Sequence, residues 1–299
     1  MGKDRLLLQG LKKIKKTFIL ITIILILVII SLTGCFEMKN KLENSYKPSF
    51  DRDITAFDYL KITVVFDNNP YSYDLKTSWG FACVIEGPEK TVLFDTGGDE
   101  EILMDNMDRL KISPVAVDVV FLSHIHGDHT GGIRSFLERN NNVTVYVPQS
   151  FPSNFNKNVA EYGAAVLEVD KPVKICKDVY SSSELSVMIK EQSLILRTDK
   201  GLVIITGCAH PVIVNIIEVS KKLFGYDILF VMGGFHLGSY DSNEIRGIAS
   251  EFKRMGVCYA GPCHCSGDNA RRIFKEEFGA LYRYRFGKNN QCNKIRLNN

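Results

Sequence analysis

From position 61 onward the chain alternates short apolar runs with polar turns. K-I-T-V-V-F (61–66), F-A-C-V-I-E (81–86) and T-V-L-F-D (91–95) are rich in β-branched and aromatic residues. Asn, Pro and Gly bound them, which predicts three strands. V-D-V-V-F-L (117–122) is almost continuously apolar and predicts a buried strand. V-T-V-Y-V (143–147), S-L-I-L-R (193–197), L-V-I-I-T (202–206), D-I-L-F-V-M (227–232) and V-C-Y-A (257–260) extend the series. Two segments carry a helical period instead. Over 211–225, Val212, Ile216, Val219 and Leu223 fall on one face, and Gly225 suits a C-terminal stop. Over 242–256, Ser242 suits an N-cap, and Ile245, Ile248, Phe252 and Met255 form the apolar stripe. Strands cluster first and then alternate with helices. Several are apolar on both faces, so helices should cover sheets, which predicts one α/β domain over 61–299.

The first sixty residues follow a different pattern. Six basic residues, Lys3 to Lys16, face only Asp4, and the apolar run Phe18–Ile30 follows, ending in L-T-G-C at Cys35. That run is short for a membrane span, which needs about 20 apolar residues. A basic segment, a short apolar run and a small-residue junction describe a secretory signal over 1–34. The junction is similar to a bacterial lipobox. That similarity implies a lipid-modified Cys35 and a domain held on the membrane outside the cytoplasm. Residues 35–60 are polar and aperiodic and read as a linker. The net charge of +3 belongs to the leader, which carries +5 and leaves −2 for the remainder, so basicity is no argument for nucleic-acid binding. Seven cysteines remain after Cys35, an odd number at irregular spacing, unlike a disulfide framework.

The chemistry is concentrated in S-H-I-H-G-D-H-T-G-G, Ser123 to Gly132. Three of the chain's six histidines lie there with one aspartate, directly after a buried strand. Alternation of side chains points His124 and His126 the same way, toward one metal ion. Asp128 and His129 come off the turn toward a second. Imidazole with carboxylate suits zinc, and iron or manganese also accept these donors. His210, His236 and His264 each follow a strand run beside small residues. Strand ends facing one crevice are where α/β sheets place ligands, so all six histidines should converge.

The H-x-H-x-D-H loop after a buried strand resembles the signature of the metallo-β-lactamase superfamily. L-F-D-T-G-G (93–98) is similar to that family's first motif. The resemblance implies an αββα sandwich of two mixed sheets with outer helices, metals at one edge, and Asp95 supporting the metal loop. T-G-C-A-H-P, G-G-F-H-L and P-C-H-C-S-G resemble one branch, named for a synthase of methanopterin biosynthesis. The chain has no histidine between His129 and His210, so His210 should supply the ligand that most members place there. Many members have a bridging aspartate where T-G-C places Cys208, which can ligate or merely pack. Where the branch carries E-H-G, this chain reads S-W-G at 78–80. In C-H-C (263–265), His264 is expected to reach the metals while both cysteines point away.

These readings imply a hydrolase in which two divalent ions, zinc foremost, activate a water against an ester, phosphoester or related small molecule. Asp128 both ligates and orients the nucleophile. His236, where it is not a ligand, is the candidate proton donor or oxyanion contact. The branch name implies an alternative, transfer of a dihydropterin, against which the export leader argues. A non-catalytic binding lipoprotein is a third reading, and it would have lost metal ligands that this loop retains. Tyr71, Tyr73 and Trp79 in the 67–79 loop are either stacking groups for a ring-shaped substrate or ordinary surface aromatics.

Overall fold

The computed structural model describes residues 60–278, apart from Tyr71, Pro88 and Val187. The basic leader, Cys35 and residues 36–59 of the linker lie outside the described residues; Leu60, read as the linker's end, is instead buried in the core. Among the described residues, no helix is long and apolar enough to cross a membrane.

The first half of the domain forms one sheet, in the order β1 (Lys61–Asp67), β2 (Phe81–Glu86), β3 (Thr91–Phe94), β4 (Val119–Phe121), β5 (Thr144–Pro148) and β6 (Ala165–Val169). β1 to β3 are antiparallel, and β3 to β6 run parallel. The second half forms the other sheet. Its strands are β7 (Val173–Cys176), β8 (Val179–Ser181), β9 (Leu194–Thr198), β10 (Gly201–Thr206), β11 (Ile228–Gly234) and β12 (Tyr259–Cys263). β7 to β10 are antiparallel, and β10 to β12 are parallel.

Strand parity explains the continuous apolar runs. In β2, Phe81, Cys83 and Ile85 enter the layer between the sheets, while Ala82 and Val84 face outer helices. In β10, Val203 and Ile205 point inward, while Leu202 and Ile204 meet helices on the far side. A strand covered on both faces gains nothing from polar alternation. The helices beside the first sheet are α1 (Glu100–Arg109), α2 (Gly127–Thr130), α3 (Ile133–Arg139) and α4 (Ser153–Glu161). Those beside the second are α5 (Ile213–Phe224), α6 (Ser242–Arg254) and α7 (Gly267–Phe278). The layers are therefore helix, sheet, sheet, helix, with an apolar core at each of the three junctions. This is the αββα sandwich that the loop signature implied.

Two helix details differ from the sequence reading. α5 buries Ile213, Ile216, Ile217 and Ser220, while Val212 is exposed. The stripe is rotated because Val212 stands before the first turn as a cap with φ 69°. α6 is capped by Asp241 rather than Ser242. Asp241 accepts from the Asn243 and Glu244 amides, and Glu244 reaches back to close a capping box. A carboxylate one residue upstream satisfies two orphan donors, which a serine hydroxyl at 242 does not reach. β6, β7 and β8 are strands beyond those that the sequence pattern predicts.

Candidate metal centre

The parallel strands β3, β4, β10, β11 and β12 end at one edge of the sandwich, and the turns that follow them carry the candidate residues. Five residues in those turns hold positive φ without being glycine: Asp95 (53°), Ala209 (59°), Val212 (69°), His236 (54°) and His264 (47°). Such conformations cost energy and persist where the surroundings over-determine them.

Asp95 organises the histidine loop. Its fully buried carboxylate accepts the Ser123 amide on Oδ1 and the Ser123 hydroxyl on Oδ2, each at 2.7 Å. Oδ2 also accepts from His129 Nδ1 at 2.7 Å. The Ser123 hydroxyl has one proton and gives it to Asp95, so it accepts from His124 Nδ1 at 2.9 Å. One carboxylate thus fixes the tautomer of two imidazoles and leaves both Nε2 lone pairs for a cation. Gly207 packs against this network, and a Cβ there would fall 2.1 Å from Ser123 Oγ. His264 is fixed in the same way from the end of β1. Its Nδ1 lies 2.8 Å from the Asn68 side-chain oxygen, which only accepts, so Nδ1 carries a proton and, in the neutral ring, Nε2 carries the lone pair.

The donor atoms fall into groups. His124, His126 and His210 place their nitrogens within 4.8 Å of one another, and the donor atoms of Asp128, His129, Cys208 and His264 do the same. His124 Nε2 is 3.2 Å from His126 Nδ1, His129 Nε2 is 3.2 Å from Cys208 Sγ, and His264 Nε2 is 3.2 Å from Asp128 Oδ2. With Zn–N bonds of about 2.0–2.1 Å, neighbouring nitrogens of a zinc tetrahedron lie about 3.3 Å apart. The Nε2 atoms of His210 and His264 are buried without a hydrogen-bond partner. Buried imidazole nitrogens without partners are costly unless a cation takes their lone pairs. The donor set therefore fits metal ions. His236 joins through ring contact, its centroid 4.8 Å from that of His210. All six histidines meet at this edge.

Burial shapes the charges. It pulls His124 down and lowers His129 to about 3, with His264 adding to the effect on His129. It pushes Asp95 well up, against the Ser123 hydrogen bonds. For Asp128, burial pulls upward but is outweighed by the contacts with His264 and His129, so its carboxyl lies well below the usual range. His236 is raised by its hydrogen bond to Cys265, and Cys265 is lowered to about 5, first by the hydrogen bond with Cys208. One consequence concerns stability. The folded His129 stays neutral, whereas the unfolded imidazole protonates near 6.5. Stability present above about pH 6.5 should therefore be lost progressively down to about pH 3, by roughly 5 kcal/mol from this group. Urea unfolding of metal-free protein at stepped pH measures it. A flat profile over that window would contradict the assignment.

Two supporting residues carry no motif. Glu191, fully buried, accepts on Oε1 the Thr206 hydroxyl and the amides of Gly207, Cys208 and Ala209, at 2.7 to 3.1 Å. Its Oε2 accepts the His210 amide at 2.9 Å. Burial favours its neutral form, but the neighbouring His124 and these bonds outweigh that and lower its pKa. Gln192 ties the neighbouring loop, donating to Leu122 O at 2.8 Å from Nε2 and to Ser123 O at 3.0 Å from its amide. Cys265 corrects an expectation. Cys263 does point away, into the core between the sheets, but Cys265 Sγ turns inward to 3.3 Å from Cys208 Sγ. Cys176, Cys208, Cys258 and Cys265 are free thiols.

Similarity to known proteins agrees with this arrangement. A family model described as the metallo-β-lactamase superfamily matches residues 80–218. A 7,8-dihydropterin-6-methyl-4-(β-D-ribofuranosyl)-aminobenzene-5′-phosphate synthase of Methanocaldococcus jannaschii is 30% identical over 277 residues, 76% of this chain and 94% of its own length. The chain belongs to the metallo-β-lactamase superfamily. Among solved structures, Tm1679, titled a metal-dependent hydrolase of the β-lactamase superfamily, superposes with a TM-score of 0.64 at 28% identity, over 74% of this chain and 94% of that one. The metallo-β-lactamase fold protein YhfI of Bacillus subtilis shares the fold, with a TM-score of 0.54 at 16% identity, over 74% and 95% of the two chains. Within this metallo-β-lactamase scaffold, Trp79 is half exposed with its ring 4.8 Å from that of His264. It stands where the branch pattern has histidine. Tyr73 is fully exposed, and Tyr71 lies outside the described residues.

Proposed function

We propose that the protein is a metal-dependent hydrolase of a small ester or phosphoester. One divalent ion is assigned to His124, His126 and His210, and a second to Asp128, His129, His264 and Cys208. The observation that carries this reading is the buried Nε2 of His210, without a hydrogen-bond partner, and that of His264, which faces the Asp128 carboxylate at 3.2 Å, one in each donor group. Bound there, divalent ions would supply Lewis acidity and lower the pKa of a coordinated water. The chain's own part is to hold the donors. Asp95 sets two tautomers, Asn68 sets a third, and Glu191 fixes the turn bearing Cys208 and His210. Asp128 remains ionised at neutral pH and accepts the nucleophile's proton or orients it. Imidazole with a thiolate favours zinc over manganese, with iron as the competitor. Elemental mass spectrometry of the full-length protein, purified in detergent, tests the reading. At least two equivalents of zinc or iron per chain are expected, and one or none after reconstitution would overturn it.

A dihydropterin-transferring reading is favoured by the synthase relative, which this chain matches along 94% of that relative's length. Trp79 would then stack on the pterin ring. Pyrophosphate release from a dihydropterin pyrophosphate, without ester or phosphodiester hydrolysis, would favour it over the hydrolase. The leader supports placing the domain outside the cytoplasmic membrane, anchored through Cys35. A Cys35→Ala protein should then move from the lipid-bearing membrane fraction to an unlipidated form of altered mass. Identical partition, with masses differing only by the substitution itself, would contradict the anchor.

A further inference from the structure

Three adjacent parallel strands each deliver one donor that the two-ion arrangement does not account for in full. β10 leads to Cys208, β11 to His236 and β12 to Cys265. Cys208 Sγ, Cys265 Sγ and a ring nitrogen of His236 lie within 4.8 Å of one another. The two sulfurs are 3.3 Å apart, far beyond the roughly 2.05 Å of a disulfide. Cys265 is not among the donors grouped around Asp128. The backbone is shaped to bring these groups together. His236 and His264, the residue before Cys265, both hold positive φ. Gly234 clears the space between, since a Cβ there would stand 2.6 Å from Cys265 Sγ and 3.2 Å from Cys208 Cα.

We propose that Cys208, His236 and Cys265 hold a third cation, a thiophilic divalent ion such as zinc, sharing the Cys208 thiolate with the second position. The proposal rests on the binuclear reading for the neighbouring ions. Two thiolates and one imidazole form a soft donor set that suits zinc and excludes magnesium and calcium, which require oxygen ligands. Three protein ligands leave a fourth position free, as in catalytic rather than structural zinc sites. Cys208 is buried, Cys265 half-buried and His236 exposed, so the donor group reaches from the core to the surface. The assignment also takes the ligating nitrogen of His236 out of the proton-donor role expected from sequence, because a nitrogen whose lone pair holds a cation carries no proton.

The test is metal stoichiometry of full-length protein in detergent, loaded with zinc and desalted, for the parent, His236→Asn and Cys265→Ser. Asparagine tolerates the positive φ, and His236 is exposed, so that variant preserves the fold. Three equivalents are expected in the parent and two in each variant. Cobalt loading should show a thiolate-to-cobalt band in the near ultraviolet that weakens in both variants. Two equivalents in the parent would overturn the third site and leave the binuclear reading standing. Three retained in both variants would overturn it as well. So would an intact mass two hydrogens lighter, which marks a Cys208–Cys265 disulfide. One equivalent or none in the parent would overturn both readings.

Discussion

Glu191→Ala is expected to unfold the protein or bring it close to unfolding, although residue 191 lies in no recognised motif. The carboxylate it removes is fully buried and accepts five hydrogen bonds, four of them from the backbone of Gly207 to His210. Deleting a buried charge can be harmless when its partners leave with it. Here the partners are backbone amides, which no substitution at 191 removes. Each stranded donor costs about 1–3 kcal/mol, so the set costs roughly 5 kcal/mol or more. A domain's whole stability is about 5–15 kcal/mol. Glu191→Gln separates the charge from the contacts. It keeps one acceptor oxygen for the Oε1 donors but turns an NH2 group toward the His210 amide, a donor against a donor. We expect a loss of about 2–3 kcal/mol and metal affinity weakened about 10–100-fold, the usual effect of losing a residue that orients ligands. Urea unfolding and chelator competition measure the two effects. An unchanged unfolding midpoint for Glu191→Ala would show that the turn is held by something else.

Glu191 also marks where the sequence stops being readable. The histidine loop is legible because its chemistry is contiguous: strand, turn and four donors fall within one run, and local geometry alone divides them between two donor groups. The long apolar strands are legible because both faces are covered. K-E-Q-S-L-I-L-R offers no such signal. An acid and an amide before an apolar strand resemble any solvated turn; only the pairing of β9 with β10 makes Glu191 a partner of residues 206–210, and only the packing of the two sheets makes Gln192 a partner of 122–123. Cys265 fails for a related reason. The C-H-C spacing suggests alternation, with the cysteines turned from the metals, yet His264 holds φ 47° and the alternation breaks there. β6 to β8 were missed because they are short or carry exposed and mixed positions, without the apolar run that betrays the central strands. β6, at the sheet edge, buries only Val169 fully.

Asp128→Asn should produce the largest change in activity with little change in fold. Asp128 sits in the short helix α2, partly exposed, with Oδ2 3.2 Å from His264 Nε2 and 3.7 Å from His129 Nε2. Asparagine has the same shape, so the loop's anchors at Asp95 and Ser123 are untouched. What disappears is a negative charge held well below the ordinary carboxylate range by His264 and His129 despite its burial. An amide oxygen is a poor ligand and a negligible base. Hydrolysis of a phosphodiester or ester substrate should therefore fall about 10²–10⁴-fold, equivalent to about 3–5 kcal/mol of transition-state stabilisation. The metal content should drop by one equivalent, because His124, His126 and His210 form a separate group and retain theirs. His126→Ala should do the reverse, emptying the first position while the Asp128 group keeps its ion. Thermal midpoints of both variants in the metal-free state should match the parent, which distinguishes lost chemistry from lost structure. Activity within a few-fold of the parent in Asp128→Asn would mean that the carboxylate neither ligates nor handles the proton. The reaction would then have to proceed on the first ion alone.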